Sequence, residues 1–76
     1  MQLKVVAFAQ ARNQLGFDEI VVDCDDQETP RAVIHRLQPE FFPGSMRVAL
    51  DHQYTDWDAP LGNARELALI PPVSGG

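Results

Sequence analysis

The chain has 76 residues, 45% apolar and 22% charged, a balance that suits one small domain and leaves no room for a second core. Six Lys plus Arg stand against eleven Asp plus Glu, and the formal charge of −5 is the wrong sign for a phosphate backbone or an anionic membrane surface. A domain this small buries only about 60% of the surface its unfolded chain exposes, which favours a carrier or adaptor over an enzyme with a deep private site.

In chain order, Gln2 to Phe8 is rich in β-branched and aromatic residues and predicts a strand with Leu3, Val5 and Ala7 on one side and Val6 and Phe8 on the other. Ala11 to Gly16 carries turn and breaker residues, so a short connection is expected there, leading into a second strand over Asp18 to Asp23 with Ile20 and Val22 on one face. The two strands would form a hairpin. Thr29 as N-cap and Pro30 at the first helical position start a helix that presents Val33, Ile34 and Leu37, and Pro39 should stop it. Pro43 and Gly44 mark the next turn, followed by a third strand with Met46, Val48 and Leu50 inward. Asp51 to Asn63 is punctuated by turn residues around one short extended piece at Tyr54, and Glu66 to Ile70 reads as the last strand, with Leu67 and Leu69 inward. The resulting order, ββαβ(β)β, predicts an α+β fold in which one main helix covers one face of a mixed sheet of four to five strands.

Side chains with catalytic or metal-binding potential are sparse. Cys24 is the only cysteine, which excludes a disulfide framework, and the neighbouring Asp23 and Asp25 disfavour its thiolate, so a semi-buried filler is expected. His35 falls in the helix and His52 in a loop, neither at metal-ligand or triad spacing, and both are expected to face solvent. Asp51, Asp56 and Asp58 lack the turn glycine of a calcium loop and read as a solvated negative face. The longest unbroken apolar run, Val5 to Ala9, is far below the roughly 20 residues that span a bilayer, and a cytoplasmic location is expected.

The most informative segment is the last. A strand runs into Pro71-Pro72 and then Val73-Ser74-Gly75-Gly76. The proline pair favours an extended conformation, so the tail should project from the sheet. At about 3.3 Å per residue it reaches roughly 20 Å, enough to enter a pocket in another protein. Gly75 and Gly76 would let a narrow channel admit the backbone and bring the terminal carbonyl to a catalytic group. A carboxylate resists nucleophilic attack until it is activated, for example as a mixed anhydride with AMP, after which acyl transfer can follow.

Two segments carry a family resemblance that covers essentially the whole chain: Phe8-Ala9-Gln10-Ala11-Arg12 with Gly16, and Glu66-Leu67-Ala68-Leu69-Ile70-Pro71-Pro72-Val73-Ser74-Gly75-Gly76. They resemble the small (MoaD-like) sulfur-carrier subunits of molybdopterin synthase. The resemblance implies a ubiquitin-like β-grasp fold, with residues 1–76 as one domain and 71–76 as an extended tail. It implies a carrier that is a co-substrate rather than an enzyme. Gly76 would be adenylylated by a ubiquitin-activating-like adenylyltransferase that uses ATP, then thiocarboxylated from a sulfur donor. The large synthase subunit would use that sulfur on the pterin precursor, cyclic pyranopterin monophosphate, in a heterotetramer of two small and two large subunits. No bound cofactor or metal, no nucleic acid and no membrane are expected.

By the same resemblance Pro71, Pro72, Val73, Ser74 and Gly75 would occupy the partner's channel, and Phe8, Tyr54 and Ile70 would form an apolar docking patch on the uncovered sheet face. Arg12 matches a family arginine and also reads as a solvated loop charge. The chain departs from the family's usual pattern at Leu50-Asp51, where Val-Asn is common, and at Ala64-Arg65, where Gly-Asp is common. Alternatives with the same terminal glycines are a thiamine-pathway sulfur carrier and a ubiquitin-like modifier joined to target lysines through Gly76. A binding module with an inert tail is a further alternative.

Overall fold

A computed structural model describes residues 1–72. β1 (Gln2–Ala7) forms as the alternation requires, with Leu3, Val5 and Ala7 buried on one face. The connection that follows corrects the expected turn, because it is helical: α1 (Ala9–Leu15) presents Ala11 and Leu15, one turn apart, to the core. Ala9 enters with φ +46°, turning the backbone off the sheet directly after Phe8. Gly16 ends the helix at φ +83°, and its N–H donates to the Arg12 carbonyl at 2.7 Å. This is the left-handed terminus for which glycine carries no Cβ penalty. The segment escapes periodicity because Arg12-Asn13-Gln14 is polar and only two side chains reach inward.

β2 (Glu19–Asp23) then pairs antiparallel with β1, setting Leu3 opposite Val22 and Val5 opposite Ile20. The hairpin partners are therefore as expected, joined by a helix rather than a tight turn. α2 (Pro30–Leu37) starts where its cap signal places it. The Thr29 hydroxyl oxygen accepts from the Ala32 N–H at 3.1 Å, and Pro30, at the first position, is buried. Val33 and Ile34 are buried and Leu37 packs beside them, while Gln38 and Pro39 end the element.

β3 (Arg47–Leu50) and β4 (Gln53–Thr55) form a hairpin whose two loop residues, Asp51 and His52, have φ +49° and +70°. Positive φ at both positions defines the turn whose twist suits a two-residue hairpin. The Asp51 carboxylate accepts from the Arg65 and Glu66 N–H groups at 2.9 and 3.0 Å. The two sequence positions that depart from the family pattern thus meet in space, and one clamps the other.

β5 (Glu66–Ile70) lies in the middle of the sheet, parallel to β1 and antiparallel to β3, giving the order β2-β1-β5-β3-β4. Both helices contribute to one core, with Leu3, Val5, Val48, Leu67 and Leu69 from the sheet. Among the described residues no polar or charged side chain is buried, so burial of apolar surface carries the stability. The loop between β4 and β5 is stitched to the start of α2: the Leu61 N–H donates to the Glu28 carbonyl at 2.8 Å, and the Arg31 N–H to the Trp57 carbonyl at 3.0 Å. Trp57 in turn donates its indole N–H to the Met46 carbonyl at 3.1 Å.

Candidate functional site

Because side chains alternate along a strand, covering one face leaves the other open. The uncovered face carries Lys4, Val6 and Phe8 from β1 and its end, Glu66, Ala68 and Ile70 from β5, Arg47 and Ala49 from β3, and Tyr54 from β4. Small residues at Ala49 and Ala68 form the floor of a shallow concavity of about 480 Å³, with Phe8, Tyr54 and Ile70 on its walls. Phe8 is 49% and Tyr54 60% exposed, while Ile70 is half-buried. The cluster is exposed apolar surface that neither helix covers.

The structure brings Phe8, Tyr54 and Ile70 to the lining of one concavity. The parallel register that pairs Ala7 with Leu69 brings Phe8 alongside Ile70. Tyr54 stands two strands away opposite Ala49, with the Arg47 guanidinium 4.3 Å from its ring centroid. Charged groups rim the apolar ground: Lys4 meets Glu66 at 3.4 Å, and His52 lies 3.8 Å from the other Glu66 oxygen. Arg47, Ala49 and Ala68 were not singled out from the sequence. Their signal is parity, since each falls on the outward side of its strand.

Arg12 lies on α1, exposed, 3.5 Å from Asp18, beside a second depression that shares Val6 and Phe8 with the first. It is adjacent to the patch rather than part of it. β5 runs directly into Pro71, half-buried, and Pro72, exposed, so the chain leaves the sheet at the Ile70 end of the patch. The expected tail residues Val73, Ser74, Gly75 and Gly76 lie outside the described residues.

The remaining polar candidates have structural partners or face solvent. Burial is the main cause that pushes the Cys24 thiol above its ordinary value, with Glu28 next and Asp23 minor, while the N-terminal ammonium and Arg36 oppose it. The aspartates beside it in sequence are therefore not the chief reason that its thiol is pushed up. His35 and His52 are exposed. The acidic stretch is less bland than expected: Asp51 holds the start of β5, and Asp58 pairs with Arg31 at 2.8 Å, which lowers the Asp58 carboxyl below its usual range. Among the described residues no group of three or more His, Cys, Asp or Glu is placed to hold a metal ion, and no helix is long and apolar enough to cross a membrane.

Comparison with known proteins finds relatives in sequence and in fold. The molybdopterin synthase sulfur carrier subunit of Arabidopsis thaliana is 30% identical over 81 residues, covering 100% of this chain and 84% of the relative. The subunit of the same name from Escherichia coli K12 is 32% identical over 80 residues, covering 97% and 99%. In fold, SAMP1 from Haloferax volcanii superposes with a TM-score of 0.74 at 22% identity over the full length of both chains. A chain of the complex of subunits 1 and 2 of molybdopterin-converting factor from Helicobacter pylori gives a TM-score of 0.65 at 24% identity, again over both full lengths. Residues 5–76 match the ThiS family, and the chain, a ubiquitin-like β-grasp protein, belongs to that family.

Proposed function

We propose that this chain is the sulfur carrier subunit of a molybdopterin synthase and that its reacting atom is the carboxyl carbon of Gly76. The observation that carries the reading is the position of β5. The central strand of the sheet passes through the apolar patch and continues straight into Pro71-Pro72, so a partner seated on Phe8, Tyr54 and Ile70 receives the emerging tail beside its own surface. Full-length identity of 30–32% to sulfur carrier subunits supports the same assignment.

In this reading the large synthase subunit docks on the open face, two of each in a heterotetramer, and holds Pro71, Pro72, Val73, Ser74 and Gly75 in a channel. The chain supplies no catalytic side chain and binds no cofactor. A ubiquitin-activating-like adenylyltransferase joins the Gly76 carboxylate to the AMP part of ATP, releasing pyrophosphate. Sulfide-level sulfur supplied by a donor then attacks the acyl carbon and displaces AMP, leaving a thiocarboxylate. On the large subunit the thiocarboxylate sulfur displaces an oxygen substituent of cyclic pyranopterin monophosphate, and water then cleaves the resulting thioester, leaving the sulfur on the pterin and returning the Gly76 carboxylate. The process is placed in the cytoplasm. Docking area contributes most of the affinity, and the glycine end contributes the positioning of one atom.

The test is intact-mass measurement after incubation with an activating enzyme, ATP and a sulfur donor. One sulfur-for-oxygen exchange is expected, absent when Gly76 is deleted. Unchanged mass, with the enzyme active on a control carrier, overturns the proposal. Isopeptide conjugates to target lysines that depend on Gly76 would instead identify a modifier, and copurification with a thiazole synthase a thiamine-pathway carrier.

A further inference from the structure

The two edges of the sheet differ. β4 offers three residues, whereas β2 offers five, Glu19–Asp23, paired on one side only. The phase of the β1–β2 ladder follows from its ends. Met1 and Cys24 exchange both hydrogen bonds at 2.9 Å, and the Ala7 N–H donates to the Asp18 carbonyl at 2.8 Å. In an antiparallel ladder the bonded pairs alternate, so Ile20 and Val22 aim their peptide groups at β1, and Glu19, Val21 and Asp23 aim theirs outward. The Asp23 carbonyl is taken by Arg36 at 2.8 Å. The N–H and C=O groups of Glu19 and Val21 and the N–H of Asp23 face away from the sheet.

The side chains along this edge set an exposed apolar centre between two charged ends. Val21 is 56% and Ile20 37% exposed, where natural edges are commonly short, bulged or marked by lysine. Glu19 and Asp23 flank Val21 on the same face and have no cationic partner among the described residues, since Lys4, Arg12 and Arg36 are engaged with Glu66, Asp18 and Glu28. Antiparallel pairing of two copies about Val21 would set Glu19 opposite Asp23 twice, and like charges directly opposite are unfavourable. With a charge of −5 on each chain, a second copy is the wrong occupant.

We propose that the free edge of β2 is a strand-addition site for an extended segment of a partner protein, antiparallel to β2, in which basic side chains flank an apolar one at alternate positions. The apolar side chain lies against Val21, the basic ones against Glu19 and Asp23, and main-chain bonds to the outward Glu19 and Val21 groups provide the register. The proposal does not rest on the sulfur-carrier reading, although Glu19 also lines the open-face concavity and the two surfaces adjoin there.

The test titrates the peptide Lys-Thr-Ile-Thr-Lys, acetylated and amidated, into the full ¹⁵N-labelled chain. The largest shifts are expected at Glu19, Val21 and Asp23, with slowed hydrogen exchange of the Val21 amide at saturation. Glu-Thr-Ile-Thr-Glu should bind about tenfold more weakly, from two repulsive cross-strand pairs replacing two attractive ones. In the double variant Glu19→Lys, Asp23→Lys the preference should reverse. The comparison of the two peptides on the unaltered chain stands whether or not that variant folds. Equal affinity for both peptides, no binding at millimolar concentration, shifts centred on Phe8 and Tyr54, or self-association of the chain through β2 in sedimentation each overturns the proposal.

Discussion

The two faces of the sheet come from the same strands and the same alternation, yet one is finished and the other is not. On the core face Leu3, Val5, Val48, Leu67 and Leu69 are fully buried under the two helices. On the open face Phe8 and Tyr54 remain half or more exposed around an alanine floor, with Lys4, Glu66 and Arg47 at the rim. Apolar burial is concentrated on one side, and the proposed function assigns recognition to the other. Under the proposed function, partners would come and go on the open face without disturbing what holds the fold together.

The division is testable by substitution, and the largest effect belongs to the core. Leu67→Ala, on the central strand and with no exposed surface, should lower unfolding free energy by roughly 2–5 kcal/mol in urea titration. A loss below about 1 kcal/mol would show that the core can collapse around the cavity. Phe8→Ala should leave stability within about 0.5 kcal/mol, because the ring is half exposed. It should weaken the proposed complex with the large subunit by on the order of 2 kcal/mol, roughly thirtyfold in Kd by calorimetry. Gly76→Ala should do the opposite, reducing sulfur transfer while leaving that Kd unchanged. If Phe8→Ala destabilises the fold as much as Leu67→Ala does, the two faces are not separate in the way described.

A smaller effect probes the turn that joins them. Asp51→Ala removes the acceptor for two amides and places a Cβ-bearing residue without a local hydrogen bond at φ +49°, for a loss of about 1 kcal/mol. Asp51→Asn keeps an acceptor and tolerates that φ, and should stay close to the original stability.

The smallest effect is electrostatic. The Asp58 carboxyl is held below its usual range by its hydrogen bond and ion pair with Arg31. A lowered folded-state pKa means that the pair's contribution is complete above the ordinary aspartate value of about 3.9 and is lost as pH falls through the folded value. NMR titration should place the Asp58 midpoint below that of an ordinary aspartate, and Arg31→Ala should raise it. Both groups are exposed, so added salt should shrink the difference.

How much was legible can be argued from particular residues. The Thr29-Pro30 start of α2 and the span of β5 rest on local chemistry: a hydroxyl beside free amides, a ring that presets φ, an apolar residue at every second position. The helical turn at Ala9–Leu15 was not visible, because two inward residues do not make a period and because its entry depends on a left-handed Ala9. The Asp51 clamp was equally hidden, since a carboxylate in a turn does not reveal which distant amides will reach it. That the Cys24 thiolate is disfavoured was legible, but the cause was assigned to chain neighbours where burial comes first and Glu28 second.

From the sequence alone came the parity of β1, β2, β3 and β5, and with it the prediction that Phe8 and Ile70 face away from the core, because the direction of alternate side chains is fixed by backbone stereochemistry within a few residues. Only the tertiary structure decided that β5 inserts between β1 and β3 and so sets Phe8 beside Ile70, and that β2 is left with an unpaired edge. Strand order is a collective outcome of burying all the inward faces at once, so no single segment encodes which strands become its neighbours.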